Sequence, residues 1–142
     1  MTGRRSGFTF VELMVVILIM SILSTGVVLS LMHWPGRAKV ARAKADIGQL
    51  EIALEEYRGD NGYYPTEQQG LDALIRQPAT PPVSQNYKEG GYLKRTPMDP
   101  WKRNYVYSVS ESDNKSYEIM SYGRDGEPGG TGEDADISSL EL

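Results

Sequence analysis

The sequence predicts an α+β protein with one long N-terminal helix packed on a small antiparallel sheet. The first observation is an apolar run from Phe8 to Met32 with a single charged residue, Glu12. The second is an apolar residue at every third or fourth position after Gly36, which is typical of an amphipathic helix. The third is a pair of short alternating runs nearer the C-terminus, which is typical of half-buried strands.

The composition limits the classes of function. The chain has 142 residues, enough for one small core beyond the apolar run, and no cysteine for a disulfide or thiolate site. Its formal charge is −4, and removal of residues 1–7 leaves 13 basic against 19 acidic residues, or −6. This balance argues against nucleic acid as a partner. A local basic cluster follows the apolar run and is interpreted as a solvated helix face beside lipid headgroups: Arg37, Lys39, Arg42 and Lys44.

The apolar run is long enough for a membrane anchor. A helix needs about 20 apolar residues to cross a bilayer. A cleaved secretory signal would be shorter and would end at a small-residue site, and no such site follows Met32. We therefore expect a transmembrane helix over residues 8–34. Pro35-Gly36 should kink or locally unwind the helix where it leaves the membrane.

Glu12 is the unusual residue of the anchor, because a carboxylate inside an apolar span is costly and usually has a partner. If the chain were cut between Gly7 and Phe8, the new amine would lie four residues before Glu12. In a stack of parallel helices, that amine on one subunit would neutralise Glu12 on the next. Such a contact does not close on itself and generates a helical filament. Alternatively, Glu12 is protonated or reaches the membrane interface, and spacing alone does not decide between these readings.

The soluble part should begin with a helical spine over residues 37–58. Its apolar stripe is best explained by packing on the chain's own sheet: Val40, Ala43, Ile47, Leu50, Leu54 and Tyr57. The alternative, a coiled-coil seam, is less favoured because the pattern stops after about three heptads. Turn residues from Gly59 to Gly62 end the helix.

Shorter elements follow the spine. Thr66 and Gln69 have the spacing of a capping box, which predicts a short helix near residues 66–76. Strands are expected within residues 104–121, as a hairpin that turns at Asp113-Asn114. The tyrosines and tryptophans of this region are interpreted as core and sheet packing, with no chemistry assigned.

An acidic, glycine-rich loop spans residues 121–137. Asp125, Asp134 and Asp136 could supply carboxylates to Ca²⁺, which takes six to eight oxygen ligands in a flexible cage. The spacing is not that of an EF-hand, and no His or Cys is nearby to favour zinc. Composition alone favours the alternative, a solvated acidic tail.

Specific motifs resemble a known family. The string from Gly7 to Glu12, after a short basic leader, is similar to the class III signal of type IV pilins and pseudopilins. The segments YPTEQQGLDAL, GGYLKRTPMDPW and SYGRDGEPGGTGEDADI resemble those of the type II secretion system major pseudopilins, the protein G family of the type IV pilin-like superfamily. The resemblance extends from Gly7 to about Ile137.

The resemblance implies how the chain is processed and where it is located. A prepilin peptidase would remove the leader, residues 1–7, by cutting between Gly7 and Phe8, and would methylate the amine of Phe8. Glu12 would serve in assembly. The chain would cross the bacterial inner membrane once, with residues 35–142 as a periplasmic domain.

The resemblance also implies ligands and partners. The family binds Ca²⁺ in the acidic loop, which gives the pilin-like fold a C-terminal calcium loop at residues 121–137. The implied carboxylate ligands are Asp125, Asp134 and Asp136, and the implied carbonyl ligands are Tyr122, Glu127 and one of Gly130 or Thr131. Glu133 matches a variable position and is left out. The subunits would form a homopolymer, the pseudopilus, together with minor pseudopilins and the inner-membrane assembly platform, and would drive export of folded proteins across the outer membrane.

The sequence disfavours two other functions. A type IV pilus subunit for adhesion or motility is disfavoured, because such pilins usually end in a cysteine-bridged loop and this chain has no cysteine. A membrane-tethered enzyme is disfavoured by the residue inventory. The single histidine is His33, and the sequence contains no cysteine nucleophile and no Gly-x-Ser-x-Gly elbow.

Overall fold

A computed structural model describes the backbone of residues 7–31, 34–110 and 116–142, and the side chains of residues 7–23, 36–110 and 116–142. Most of the predicted leader and the predicted turn at Asp113-Asn114 lie outside these residues. The chain divides into two compact units, Met1–Pro35 and Gly36–Leu142, and each is described by itself.

The first unit is built on helix α1, Phe10–Leu31, a 22-residue element whose one charged side chain is Glu12. The predicted span, residues 8–34, extends beyond the part whose side chains are described, which ends at Leu23. Across the described residues, no helix combines the length and the apolar character that crossing a membrane requires.

Helix α2, Trp34–Asn61, carries the second unit. It is longer at both ends than the expected spine, and its apolar stripe is buried as predicted. The residues of the stripe that are fully or almost fully buried are Ala43, Ile47, Leu50, Leu54 and Tyr57. Pro35 lies in the first turn of α2, where its missing N–H removes no helical hydrogen bond. Met32 and His33, next to the expected kink, are outside the described residues.

The sheet has three antiparallel strands in the order β1-β2-β3: β1 is Val106–Val109, β2 is Tyr117–Ser121 and β3 is Ile137–Ser138. The first two lie within the region where strands were expected. The third was not predicted and shortens the acidic loop by one residue at its C-terminal end. Tyr107 pairs with Ile119 across the first ladder, and both side chains join the core that covers α2.

The short helix expected near residues 66–76 is replaced by a turn and a 3-10 helix, Leu71–Leu74. The capping box itself is present: Thr66 N donates to Gln69 Oε1 over 3.1 Å, and Gln69 N donates to Thr66 Oγ1 over 3.2 Å. However, Gly70 has φ 59°, and a left-handed residue interrupts an α-helix. The Gln69 amide also donates to the carbonyls of Thr80 and Pro82, which ties the turn to the following loop.

The aromatic residues pack in the core and on the sheet, as the sequence predicts. Tyr57, Tyr64, Tyr105 and Tyr107 are buried, and the hydroxyl of Tyr107 donates to the carbonyl of Pro65 over 2.8 Å. Burial raises the pKa of Tyr107 well above its usual range. This phenol is therefore neutral at physiological pH and serves packing and hydrogen bonding.

Candidate functional site

The start of α1 places the predicted processing and assembly residues side by side. Gly7 and Phe8 precede the helix, and 86% of the surface of Phe8 is exposed. A Cβ at Gly7 would meet no described residue within 4 Å, so nothing in the described part of the chain requires glycine there.

Glu12 closes a capping box with Thr9. Its Oε2 accepts from Thr9 N over 3.1 Å and from Thr9 Oγ1 over 3.2 Å, while Glu12 N donates back to Thr9 Oγ1 over 3.2 Å. Thr9 was not predicted as a partner of Glu12, for which an amine was expected. The signal was available, because Thr-x-x-Glu before an apolar run is a helix start.

The rest of the described part of α1 presents apolar side chains. They are exposed on the chain from Phe10 to Leu23. Such a continuous apolar surface is far larger than soluble monomers usually show, and it indicates a membrane or protein contact.

The acidic loop is held at both ends by the sheet. Ser121 of β2 pairs with Ile137 of β3, so the segment between them returns to its starting point. Within the loop, Arg124 N donates to the carbonyl of Glu133 over 2.8 Å, which joins its first and last thirds. Gly130 allows the return: its φ is 79°, and a Cβ there would lie 2.4 Å from the carbonyl oxygen of Asp134.

Arg103, which sequence reasoning did not single out, clamps the beginning of the loop. Its guanidinium donates to the carbonyls of Gly123 and Arg124 over 2.7 and 2.8 Å. Buried Asp99 holds Arg103 in turn, since Asp99 Oδ1 accepts from Arg103 N over 2.7 Å and Asp99 Oδ2 accepts from Ser121 Oγ over 2.9 Å. No local pattern identifies such a contact, because it spans some twenty positions of sequence.

The three predicted carboxylate ligands have different surroundings. Asp134 forms a two-bond pair with Arg124, Nε to Oδ1 at 2.8 Å and Nη2 to Oδ2 at 2.7 Å. Asp125 Oδ1 accepts from Glu127 N over 3.2 Å. Asp136 Oδ2 accepts from Gly129 N over 2.9 Å, whereas its Oδ1 is buried and has no hydrogen-bond partner among the described residues. The hydrogen bonds that Arg124 donates to Asp134 raise the pKa of Arg124 further, so this guanidinium is a permanent cation.

The described part of the chain contains no group of three or more Asp, Glu, His or Cys side chains arranged to hold a metal ion. Two of the predicted carbonyl ligands accept hydrogen bonds within the loop: that of Tyr122 from Gly126 N, and that of Thr131 from Asp134 N. Glu133, left out of the predicted ligand set, has its carboxylate against Gly36 of α2.

Comparison with known families gives two matches that together span most of the chain. Residues 30–140 match the family described as type II secretion system (T2SS), protein G. Residues 2–28 match the prokaryotic N-terminal methylation motif.

Individual relatives agree with these matches. Type II secretion system core protein G of Pseudomonas aeruginosa is 43% identical over 97% of this chain and 96% of its own length. The Vibrio cholerae protein of the same name is 44% identical over 98% of this chain and 94% of its own. Among solved structures, the major pseudopilin from the type 2 secretion system of enterohaemorrhagic Escherichia coli is similar, with a TM-score of 0.66 and 38% identity over 79% of this chain and 95% of that one.

Gly130→Ala should destabilise the chain more than Gly132→Ala. Both glycines have positive φ, 79° and 68°, so an alanine at either costs about 1 kcal/mol of backbone strain. Only at Gly130 would the new Cβ also meet a backbone oxygen, at 2.4 Å, which should add about 1–3 kcal/mol. Thermal unfolding of the purified full-length chain in EGTA measures both losses. Equal losses would mean that the loop does not return past Asp134 as described.

Proposed function

The chain belongs to the protein G family of the type II secretion system, and on that premise we propose that it polymerises through α1 into a pseudopilus that drives export of folded proteins across the outer membrane. Its function is that of a major pseudopilin in type II secretion. The observation that carries the proposal is the match over nearly the whole chain to proteins of that name. The exposed apolar surface of α1 supplies the polymerisation surface.

The proposal extends to location and partners. The chain is anchored in the bacterial inner membrane by α1, with its C-terminal unit in the periplasm. Prepilin peptidase, minor pseudopilins and the inner-membrane assembly platform are its partners besides further copies of itself, and it has no catalytic activity of its own. A type IV pilus subunit is the weaker alternative, because residues 30–140 match the secretion family specifically.

We place the assembly contact at the second oxygen of Glu12. Both hydrogen bonds from Thr9 use Oε2, and Oε1 accepts no hydrogen bond from a described residue. The carboxylate can therefore keep its helix cap and still accept the methylated amine of Phe8 from a neighbouring subunit. In an apolar surrounding, such a pair of opposite charges is far more favourable than an isolated carboxylate.

We also propose that the acidic loop binds Ca²⁺, which when bound would tie the loop together through oxygen ligands. The donors fit this ion in kind: Asp125, Asp134 and Asp136 supply carboxylates, and the loop adds backbone carbonyls. The buried Oδ1 of Asp136 supports the proposal, because no described residue donates to it and a buried carboxylate oxygen normally has a partner. Tyr122, Glu127 and either Gly130 or Thr131 would contribute carbonyls.

The mature chain should begin at N-methyl-Phe8. Gly7→Val should leave it at full length, because the peptidase must accept a small residue before the cut. Since an added Cβ at Gly7 meets no described residue, this variant should fold normally. A lack of cleavage would therefore indicate that the peptidase does not recognise it. Intact mass and N-terminal sequencing in a native host measure the outcome, with Thr9→Val as the control. Cleavage of Gly7→Val at the normal rate, or a wild-type chain still starting at Met1 or Thr2, would contradict the proposal.

Glu12→Gln should insert and be processed but fail to assemble. Glutamine keeps a side-chain oxygen for the helix cap and removes the charge that pairs with the amine. Thr9→Val tests the reverse, because it removes the cap hydroxyl and leaves the carboxylate, so it should assemble. Sheared-filament yield and secretion of a reporter are the measurements. If Glu12→Gln assembles while Thr9→Val does not, Glu12 serves the helix cap and the amine pair is wrong.

Ca²⁺ should raise the melting temperature of the full-length chain in detergent by several degrees over EGTA, and Mg²⁺ should do so far less. Binding to the folded state alone adds about 2.7 kcal/mol when free Ca²⁺ is a hundredfold above Kd, which corresponds to such a shift for a domain of this size. Asp136→Asn should abolish the shift. Glu127→Gln is the matched control, since it removes one charge from the same loop and keeps the carbonyl. Identical melting temperatures in Ca²⁺ and EGTA would contradict calcium binding and would mean that the loop is a solvated acidic segment.

A further inference from the structure

Arg124 pairs with both oxygens of Asp134, one of the carboxylates of the proposed calcium site. The two bonds, at 2.8 and 2.7 Å, run side by side from Nε and Nη2. Parallel bonds of this kind between guanidinium and carboxylate are among the stronger side-chain contacts. A cation bound to Asp134 through that edge would take the place of the guanidinium.

The backbone on which Arg124 stands is fixed. Its N–H donates to the carbonyl of Glu133 over 2.8 Å, and its own carbonyl accepts from Arg103 over 2.8 Å. The side chain, by contrast, is 58% exposed, against 28% for that of Asp134. Arg124 can therefore turn into solvent without any change in the path of the loop.

The carboxylates of Asp134 and Asp136 differ in whether their oxygens already accept hydrogen bonds. In the part of the chain that the structure describes, Asp136 has a buried oxygen without a hydrogen-bond partner, whereas both oxygens of Asp134 accept from Arg124. An ion that binds both carboxylates can bind Asp136 directly, but it must displace the guanidinium of Arg124 to bind Asp134. The displaced guanidinium would also be repelled by the ion at short range.

We infer that Arg124 is an internal competitor of Ca²⁺ for Asp134, an inference that rests on the calcium site proposed above. Without the ion, the guanidinium neutralises Asp134 and holds the two arms of the loop together. With the ion, Arg124 releases Asp134 and turns outward. Arg124 thus weakens calcium binding and stabilises the metal-free loop.

Arg124→Gln in the full-length chain separates these two effects. The Kd for Ca²⁺, measured by titration calorimetry in detergent, should fall about threefold or more, the range expected for loss of an exposed ion pair with good geometry. The melting temperature in EGTA should fall, whereas that in saturating Ca²⁺ should not. Arg76→Gln is the matched control, because Arg76 forms an exposed pair with Asp72 at 3.0 Å, outside the loop, and its loss should leave the Kd unchanged.

The outcomes are distinguishable. If neither the wild type nor Arg124→Gln binds Ca²⁺, the proposed calcium site does not exist. If the wild type binds Ca²⁺ and Arg124→Gln has an equal or higher Kd, Arg124 does not compete with the ion, although the calcium site itself exists. If Arg124→Gln is too unstable in EGTA to be titrated, Arg124→Lys replaces it, because lysine keeps the charge and loses the two-bond geometry. An unchanged Kd for Arg124→Lys would then count against the competition.

Discussion

Burial of one face of helix α2 is the interaction on which the whole C-terminal unit depends. Strands of four, five and two residues cannot form a stable sheet alone, because too little apolar surface is removed from water. The side chains of Tyr107, Ile119 and Ile137 gain that burial against α2. The pairing of β2 with β3 then brings the two ends of the acidic loop together. The helix thus stabilises the sheet, and the sheet determines where the loop begins and ends.

Sequence reasoning succeeded where periodicity is long and failed where a feature depends on contacts between distant residues. The apolar stripe of α2 extends over several turns, so most of its buried face was predicted; Ala53 was missed, and Val40 is only partly buried. Strand β3 has two residues, too few for any alternation to be visible. The carboxylates of the loop were identified as candidates from residue type. Their hydrogen bonds, including the clamp by Arg103, could not be predicted because they require the folded path of the chain.

The chain contains two capping boxes, and only one of them was predicted from the sequence. Thr66 and Gln69 were recognised by their spacing, and their reciprocal bonds are present, although Gly70 prevents an α-helix from following. The same spacing is present at Thr9 and Glu12, where the position of a charge within an apolar run also indicates an amine partner. The structure shows that one carboxylate can serve a helix start through one oxygen and leave the other oxygen available.

Position 36 connects parts of the chain that are far apart in sequence. Gly36 is buried, and the carboxylate of Glu133 lies where any side chain at this position would begin, 1.8 Å from an added Cβ. A larger residue at 36 is compatible with this fold only if residue 133 shortens or turns away. Because the carboxylate atoms are the end of a flexible side chain, Glu133 can turn away to admit a larger residue. A glycine inside a helix normally costs about 1 kcal/mol, and here it leaves the space that the carboxylate of Glu133 occupies.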